Sequence, residues 1–350
     1  MSAEVSFVLV AHFSSAVAPA AVASFRDEAK RLGVSFEVVI VDHSEEAGES
    51  ARLRSVAPER LLALPNRGYA AGVNAGIAAS TGDIVLVGNP DICLASGALG
   101  PLLDALAGGW DIVGPQFELA GLLLPPADVQ TPAEEVRRWL ASRSRLLWRL
   151  YFGRELRRWR RAWDASAPLA VPTLSGALLV FRREAAAKVG PWDERYFLYF
   201  EETDWLSRAS RAGMRVALVP AARVEHVWGH AADPDTHGEH FMASRRRFLA
   251  DKFGRLGRLA ARLRITRTPL RPRPFPDAPE TLPQGRLLWL LSPTALGFPA
   301  AGLEGEAPSL ARALDVVAAE RGRPARYLVL GVRPGTGSVV GTWSVEHGRG

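Results

Sequence analysis

The sequence predicts an α/β fold, a mostly parallel sheet covered by helices, followed by a small α/β appendage. Three observations carry that expectation. Strand and helix signals alternate through about residue 115, acidic residues fall at the ends of two of the strands, and a proline-rich stretch sets off the C-terminal segment.

Taken in order, apolar or β-branched runs cover 5–11 (VSFVLVA), 36–42 (FEVVIVD), 60–64 (RLLAL) and 83–89 (DIVLVGN), with helical stretches at 16–32 and 69–80. This order places ligand chemistry at the carboxyl ends of the strands, where Asp42 and Asp91 would face one crevice. Residues 132–163 read as a long helical stretch, opened by Thr131-Pro132 with Glu134 and Glu135 in its first turn and breakable at Gly153. Residues 177–227 return to strand, helix and strand, with a helix near 201–212 ending at Gly213. A second basic helix covers 238–263. Six prolines between Pro269 and Pro283 mark a linker. Beyond it, RLLWLL (286–291), a helix near 306–321 and RYLVLGV (326–332) form a small β-α-β segment to which no chemistry attaches. The implied division is 1–265, a linker at 266–285, and an appendage at 286–350.

The 350 residues are 48% hydrophobic and 23% charged, a globular composition. A lone cysteine, Cys93, excludes an internal disulfide framework and fits a reducing compartment. The opening MSAEVSFVLVAHF lacks the basic flank of a signal peptide. The longest apolar stretch, Leu287 to Leu303, is broken by Pro293 and Pro299 and is too short to span a bilayer. The expectation is a soluble, cytoplasmic protein.

The net charge of +6 is concentrated in arginines at roughly 137–161 and 245–273. That clustering fits an anionic partner, whether nucleic acid, membrane or phosphorylated substrate, or else solvated helix faces. In the first segment the arginines alternate with Trp139, Trp148, Tyr151, Trp159 and Trp163. Such a stretch either rests peripherally on anionic headgroups at the inner face of a membrane or packs its aromatic residues on the sheet.

Four clusters hold candidate chemistry. In VDHSEE (41–46), Asp42 ends a strand and can accept hydrogen bonds from a nucleobase or ribose, or cap its own turn. In NRGYAAGVNAGIAASTGD (66–83), Gly68, Gly72 and Gly76 recur every fourth residue and favour close helix-to-sheet packing, flanked by Asn66 and Asn74. In VGNPDICL (87–94), Asp91 is able to hold a hard divalent cation, Mg or Mn, or the turn is only a turn. In YFEETDW (199–205), Glu201, Glu202 and Asp204 suit a helix N-terminus and also favour a general base of raised proton affinity. ARVEHVWGH (222–230) follows with His226 and His230.

The order of these clusters resembles the inverting family 2 glycosyltransferases, particularly rhamnosyltransferase-like members with a GT-A fold, over residues 5 to 230. The matching segments are VIVDHSEE, NRGYAAGVNAGIAASTGD, NPD, LSGALLVFRREAAAKVGPWDERYFLYFEETDWLSRASRAG and VPAARVEH. The resemblance implies a nucleotide-diphospho-sugar transferase with a Rossmann-like mixed sheet. By position it assigns Asp42 to the base, Asn66 to the nucleotide, Asn89 to the ribose or sugar phosphate, and Asp91 and His226 to the metal. Glu202 falls at the general base, and Ser175 and Gly176 near donor sugar or acceptor. It further implies a dTDP- or UDP-linked donor and a glycan or lipid-diphosphate acceptor, as in cell-envelope polysaccharide synthesis. Three departures stand out: Ala11-His12-Phe13 for the usual Thr-Tyr-Asn, His43 for Asn, and Glu202 for Asp.

Two other classes fit less well. A nucleotidyltransferase needs a basic phosphate-gripping loop after the first strand, where AHFSSAVAP has none. A nucleic-acid-binding protein leaves the acids at 201–204 unexplained. A non-catalytic nucleotide-sugar-binding protein is the remaining alternative.

Overall fold

The computed structural model describes residues 4–226, 234–276, 281–321 and 325–347. His230 and part of the proline-rich linker, 277–280, lie outside the described residues. The chain divides into two compact units, 1–116 with 165–251 and 117–164 with 252–350.

The first unit opens as β1 (Val5–Ala11), α1 (Ala18–Leu32), β2 (Phe36–Asp42), α2 (Ala47–Arg54) and β3 (Arg60–Ala63). It continues through α3 (Tyr69–Ala79), β4 (Ile84–Gly88), β5 (Ile92–Leu94), α4 (Leu99–Ala107) and β6 (Ile112–Leu119). The chain then enters the second unit as β7 (Leu122–Leu123), α5 (Pro132–Ala141) and α6 (Arg145–Trp163). It returns as β8 (Leu169–Ala170), β9 (Leu178–Arg182), α7 (Arg183–Val189), α8 (Glu201–Arg211), β10 (Val216–His226) and α9 (Pro234–Ala260).

The sheet of the first unit runs β6-β9-β4-β1-β2-β3. β4, β1, β2 and β3 are parallel, while β9 is antiparallel to both β4 and β6. The sheet is therefore mixed. β1 is buried along its whole length, which explains its unbroken apolar run. The glycines of α3 divide their work. A Cβ at Gly72 would come within 2.7 Å of Val10 Cγ1, and one at Gly76 would overlap Val8 Cγ1, so both glycines let the helix lie close on β1. Gly68 precedes the helix and serves the loop described below.

The second unit is completed by β11 (Arg273–Pro274), β12 (Leu287–Ser292), β13 (Ala301–Gly305), α10 (Ala307–Arg321), β14 (Ala325–Val332) and β15 (Val339–His347). Its strands run β11-β15-β14-β12-β13-β7, antiparallel except for the β11–β15 pair. This is a larger sheet than the expected β-α-β segment. Residues 117–164 group with it rather than with the strands before them, because the inner face of α6 packs there. Trp148, Tyr151, Phe152, Trp159 and Trp163 share one buried cluster with Leu288, Leu290, Phe298, Leu328 and Leu330. These aromatic residues are core. Trp148, Tyr151, Trp159 and Trp163 thus pack on a sheet, while Trp139 is half-buried outside that cluster. Among the described residues no helix is long and apolar enough to cross a membrane.

Candidate active site

The site is built by strand register in the first unit. β4 ends at Gly88, and the Asn89-Pro90-Asp91 turn leads into β5. β10 runs antiparallel to β5 with His226 opposite Ile92, the residue after Asp91. That register brings His226 Nε2 to 3.5 Å from Asp91 Oδ1, and both residues are buried. Asp91 Oδ1 receives no hydrogen bond, an arrangement that costs stability unless a bound group completes it. One carboxylate and one imidazole suit a divalent cation that takes its other ligands from water and substrate phosphates. Among the described residues no group of three or more His, Cys, Asp or Glu forms a closed metal cage.

The β4–β9 pairing sets Gly88 opposite Leu178 and so brings residues 175–177 beside Asn89. The Asn89 N–H donates to the Ala177 carbonyl at 3.0 Å, and the Ser175 hydroxyl oxygen accepts from the Ala177 N–H at 3.3 Å. Gly176 lies against Glu202: a Cβ there would stand 3.0 Å from Glu202 Cγ. The Tyr69 hydroxyl reaches toward the Gly176 carbonyl at 3.5 Å. Burial, and then the charges of Glu201, Glu202 and Asp91, push the Tyr69 phenol well above its ordinary proton affinity. One residue thus senses all three acids. The sequence reading did not single it out, although the Asn-x-Gly-aromatic pattern contains it.

Three acids open α8, and their surroundings separate them. Asp204 is paired with Arg208 one turn on, at 2.9 Å from Nε. Glu201 is buried with Oε2 unpartnered, and burial together with the Glu202 charge holds its carboxyl well above the usual range. Glu202 keeps partial exposure, burial raises its carboxyl, and the Thr203 hydroxyl donates to its Oε1 at 3.3 Å. Only Glu202 of the three combines access with raised proton affinity.

The loop that presents Glu202 is strained and held from two sides. Tyr199 and Phe200 both adopt the left-handed region, at φ 69° and 70°, a conformation that costs on the order of 1–3 kcal/mol at each non-glycine residue. From α9, Phe241 and Phe248 contact the Phe200 ring at 5.4 and 5.5 Å, and the Ser244 hydroxyl donates to the Leu198 carbonyl at 2.8 Å. On the other side the Tyr69 N–H donates to the Phe197 carbonyl at 2.8 Å. Gly68, at φ 96°, makes that approach possible, since a Cβ there would stand 2.7 Å from Phe197 Cα.

Asp42 and Asn66 belong to a second group. The buried Asp42 carboxylate accepts the Ser44 N–H at 2.9 Å and the Ser50 hydroxyl, so it caps its own turn. Beside it, burial and the charge of His12 lower the proton affinity of His43. The Asn66 N–H donates to Glu45 Oε1 at 2.9 Å, and its side-chain oxygen accepts the Gly68 N–H at 3.1 Å. That last bond links the second group to Tyr69 and the first. Asn74 is a clamp: its amide donates to the Trp192 carbonyl at 3.0 Å and accepts the Trp192 N–H at 2.9 Å.

Residues 6–190 match the family described as Glycosyl transferase family 2. The chain is 33% identical over 178 residues to N-acetylglucosaminyl-diphospho-decaprenol L-rhamnosyltransferase from two strains of Mycobacterium tuberculosis. That alignment covers 49% of this chain and 56% of each relative, so the chain spans about half the length of the curated relatives it matches. Among solved structures, the mannosyltransferase PcManGT from Pyrobaculum calidifontis in complex with GDP-Man and Mn2+ is similar at 18% identity and a TM-score of 0.44. The match covers 71% of this chain and 61% of that one. The crystal structure of GalNAc-T7 with UDP, GalNAc and Mn2+ is similar at 14% identity and a TM-score of 0.47, covering 64% of this chain and 44% of that one.

Proposed function

The chain belongs to glycosyl transferase family 2, and from that premise we propose that it transfers a sugar from a nucleotide-diphosphate donor to an acceptor hydroxyl with inversion. Its first unit has the GT-A fold. The observation that carries the proposal is Glu202, partly exposed against Gly176, whose neighbour Ala177 accepts a hydrogen bond from Asn89 in the turn that holds Asp91.

In this reading Glu202 takes the proton of the acceptor hydroxyl as its oxygen attacks the anomeric carbon. The bond from that carbon to the diphosphate breaks on the opposite face, and the nucleoside diphosphate leaves with the electron pair. Asp91 and His226 would hold a Mg or Mn ion, which when bound offsets negative charge on the diphosphate. Ser175 and Gly176 border the donor sugar or acceptor, and Asn89 faces the ribose or sugar phosphate. Asn66 orders the loop beside the nucleotide, and Asp42 retains lone pairs able to accept from the base or ribose. The curated relatives motivate L-rhamnose, carried on dTDP or UDP, as donor sugar and a lipid-diphosphate-linked glycan as acceptor in cell-envelope synthesis. Such an acceptor would bring the protein to the cytoplasmic face of a membrane.

The test is product formation from a panel of nucleotide sugars with lipid-diphosphate acceptors, with and without Mn2+, reading anomeric configuration by NMR. Inverted product from one donor is the expected result. Donor binding without turnover on any acceptor would replace this reading with nucleotide-sugar binding alone.

A further inference from the structure

The second unit contains a cavity of about 870 Å³ whose walls are basic. Arg145 and Arg149 line it from α6, Arg271 from the segment leading into β11, and Arg273 from β11 itself. Phe152 and Trp343 contribute its apolar lining. No carboxylate lines the cavity among the described residues. None of the four arginines has a hydrogen bond or ion pair from its side chain among those residues. Other arginines of the same helix are paired: Arg154 with Glu134, Arg158 with Asp128, and Arg160 with Glu304. Like-charged guanidiniums around one space repel unless an anion joins them, and guanidinium forks match phosphate oxygens in geometry.

Two features of α6 indicate what carries the phosphate. Gly153 continues the row of Arg145 and Arg149 along the helix and lines the cavity. A Cβ there would meet only the tip of Arg157, at 3.6 Å, so packing does not require the glycine. A glycine inside a helix costs about 1 kcal/mol relative to alanine, and here it keeps the wall open. On the adjoining row, Leu146 and Leu150 are 65% and 63% exposed, and Val136 and Leu140 of α5 are also exposed. Apolar side chains projecting beside unpaired arginines form the pattern of an interfacial helix, with leucines among acyl chains and arginines at headgroup level.

We propose that this cavity binds the phosphate headgroup of an anionic lipid, with Leu146 and Leu150 entering the acyl layer. The proposal extends the membrane side of the function above. Flotation needs neither donor sugar nor catalysis, so either proposal can fail without the other.

The experiment is vesicle flotation of the full chain on phosphatidylcholine with and without phosphatidic acid. The protein should float with phosphatidic acid and stay at the bottom with phosphatidylcholine alone. Replacing Arg145, Arg149, Arg271 and Arg273 together by Gln should weaken flotation by roughly 100-fold or more, since each basic residue near such a surface contributes about 1 kcal/mol. The single variant Arg149→Gln should lose about 5-fold on the same basis, and Leu146→Ser with Leu150→Ser should also weaken flotation. The control Arg312→Gln with Arg326→Gln should float as wild type does. Failure of the wild type to float, or equal loss in the control pair, would overturn the proposal. So would pyrophosphate binding at the four arginines together with flotation indifferent to the leucine changes, which would mark a soluble phosphate compound as the ligand.

Discussion

The two units handle unpaired charge in opposite ways. The first buries carboxylate oxygens that accept no hydrogen bond, Asp91 Oδ1 and Glu201 Oε2. The second exposes guanidiniums without partners around an open cavity. Burial raises the proton affinity of Glu201 and Glu202, which suits a base, while Asp91 beside His226 offers a carboxylate oxygen to a cation. Exposed unpaired arginine keeps its charge at every physiological pH and waits for phosphate. Asp91 is aimed by strand register and Glu201 by the start of α8, whereas Arg145 and Arg149 are carried on a helix whose other face is anchored by tryptophan.

Removing that anchor should have the largest effect. Trp159→Ala should destabilise the protein by about 3–5 kcal/mol, the usual cost of emptying a buried aromatic site, read by denaturant unfolding. A change under about 1 kcal/mol would show that the aromatic face of α6 is not core. Next, Glu202→Gln should lower turnover by about 10²-fold or more with donor affinity nearly intact. Near-normal turnover would remove Glu202 from the role of base and leave the acid cluster structural.

Asp91→Ala should have a smaller effect on binding, reducing the Mn2+-dependent part of nucleotide-diphosphate affinity at least about 10-fold, measured by calorimetry with and without the ion. Identical affinities in both conditions would sever Asp91 from any cation. The smallest expected change concerns Glu201→Gln and pH. Because the folded carboxyl is raised above 4.5, the unfolded chain ionises first as pH rises, and wild-type stability falls through that interval. The variant lacks this loss, so its thermal midpoint should gain on wild type as pH increases, by about 2–4 °C for each kcal/mol. Parallel midpoint curves would show that Glu201 titrates normally.

How much of this was legible depends on how far each residue's partners lie along the chain. β1 and β2 fall at the bounds read from their apolar runs, because buried β-branched strands flanked by turn residues carry their own signal. The sheet is mostly parallel as expected, and it is mixed because β9 runs antiparallel between β4 and β6, an insertion that no local pattern announces. β13 carries no local signal because AGLEG lacks a strand's alternation, and in β15 Gly341 interrupts the apolar run. In the site, Asp204 was separable in principle, since Arg208 stands one helical turn away. Tyr69 was not singled out, because its neighbours converge from α3, α8 and the turn after β4. The burial of the tryptophans in α6 depends on strands far along the chain, so composition alone left both alternatives standing.

That distance has a consequence for how the protein is made. α6 ends at Trp163 and β12, the first of the strands that cover its aromatic face, begins at Leu287. At ribosomal rates of about 5–20 residues per second, the nascent helix waits on the order of ten seconds before its partners emerge. During that interval its tryptophans have only earlier residues such as Leu123, Leu124 and Ala141 to close on. The second unit therefore cannot close its core until β12 and the strands after it have emerged, and truncation after residue 251 would leave that aromatic face without Leu288, Leu290, Leu328 and Leu330.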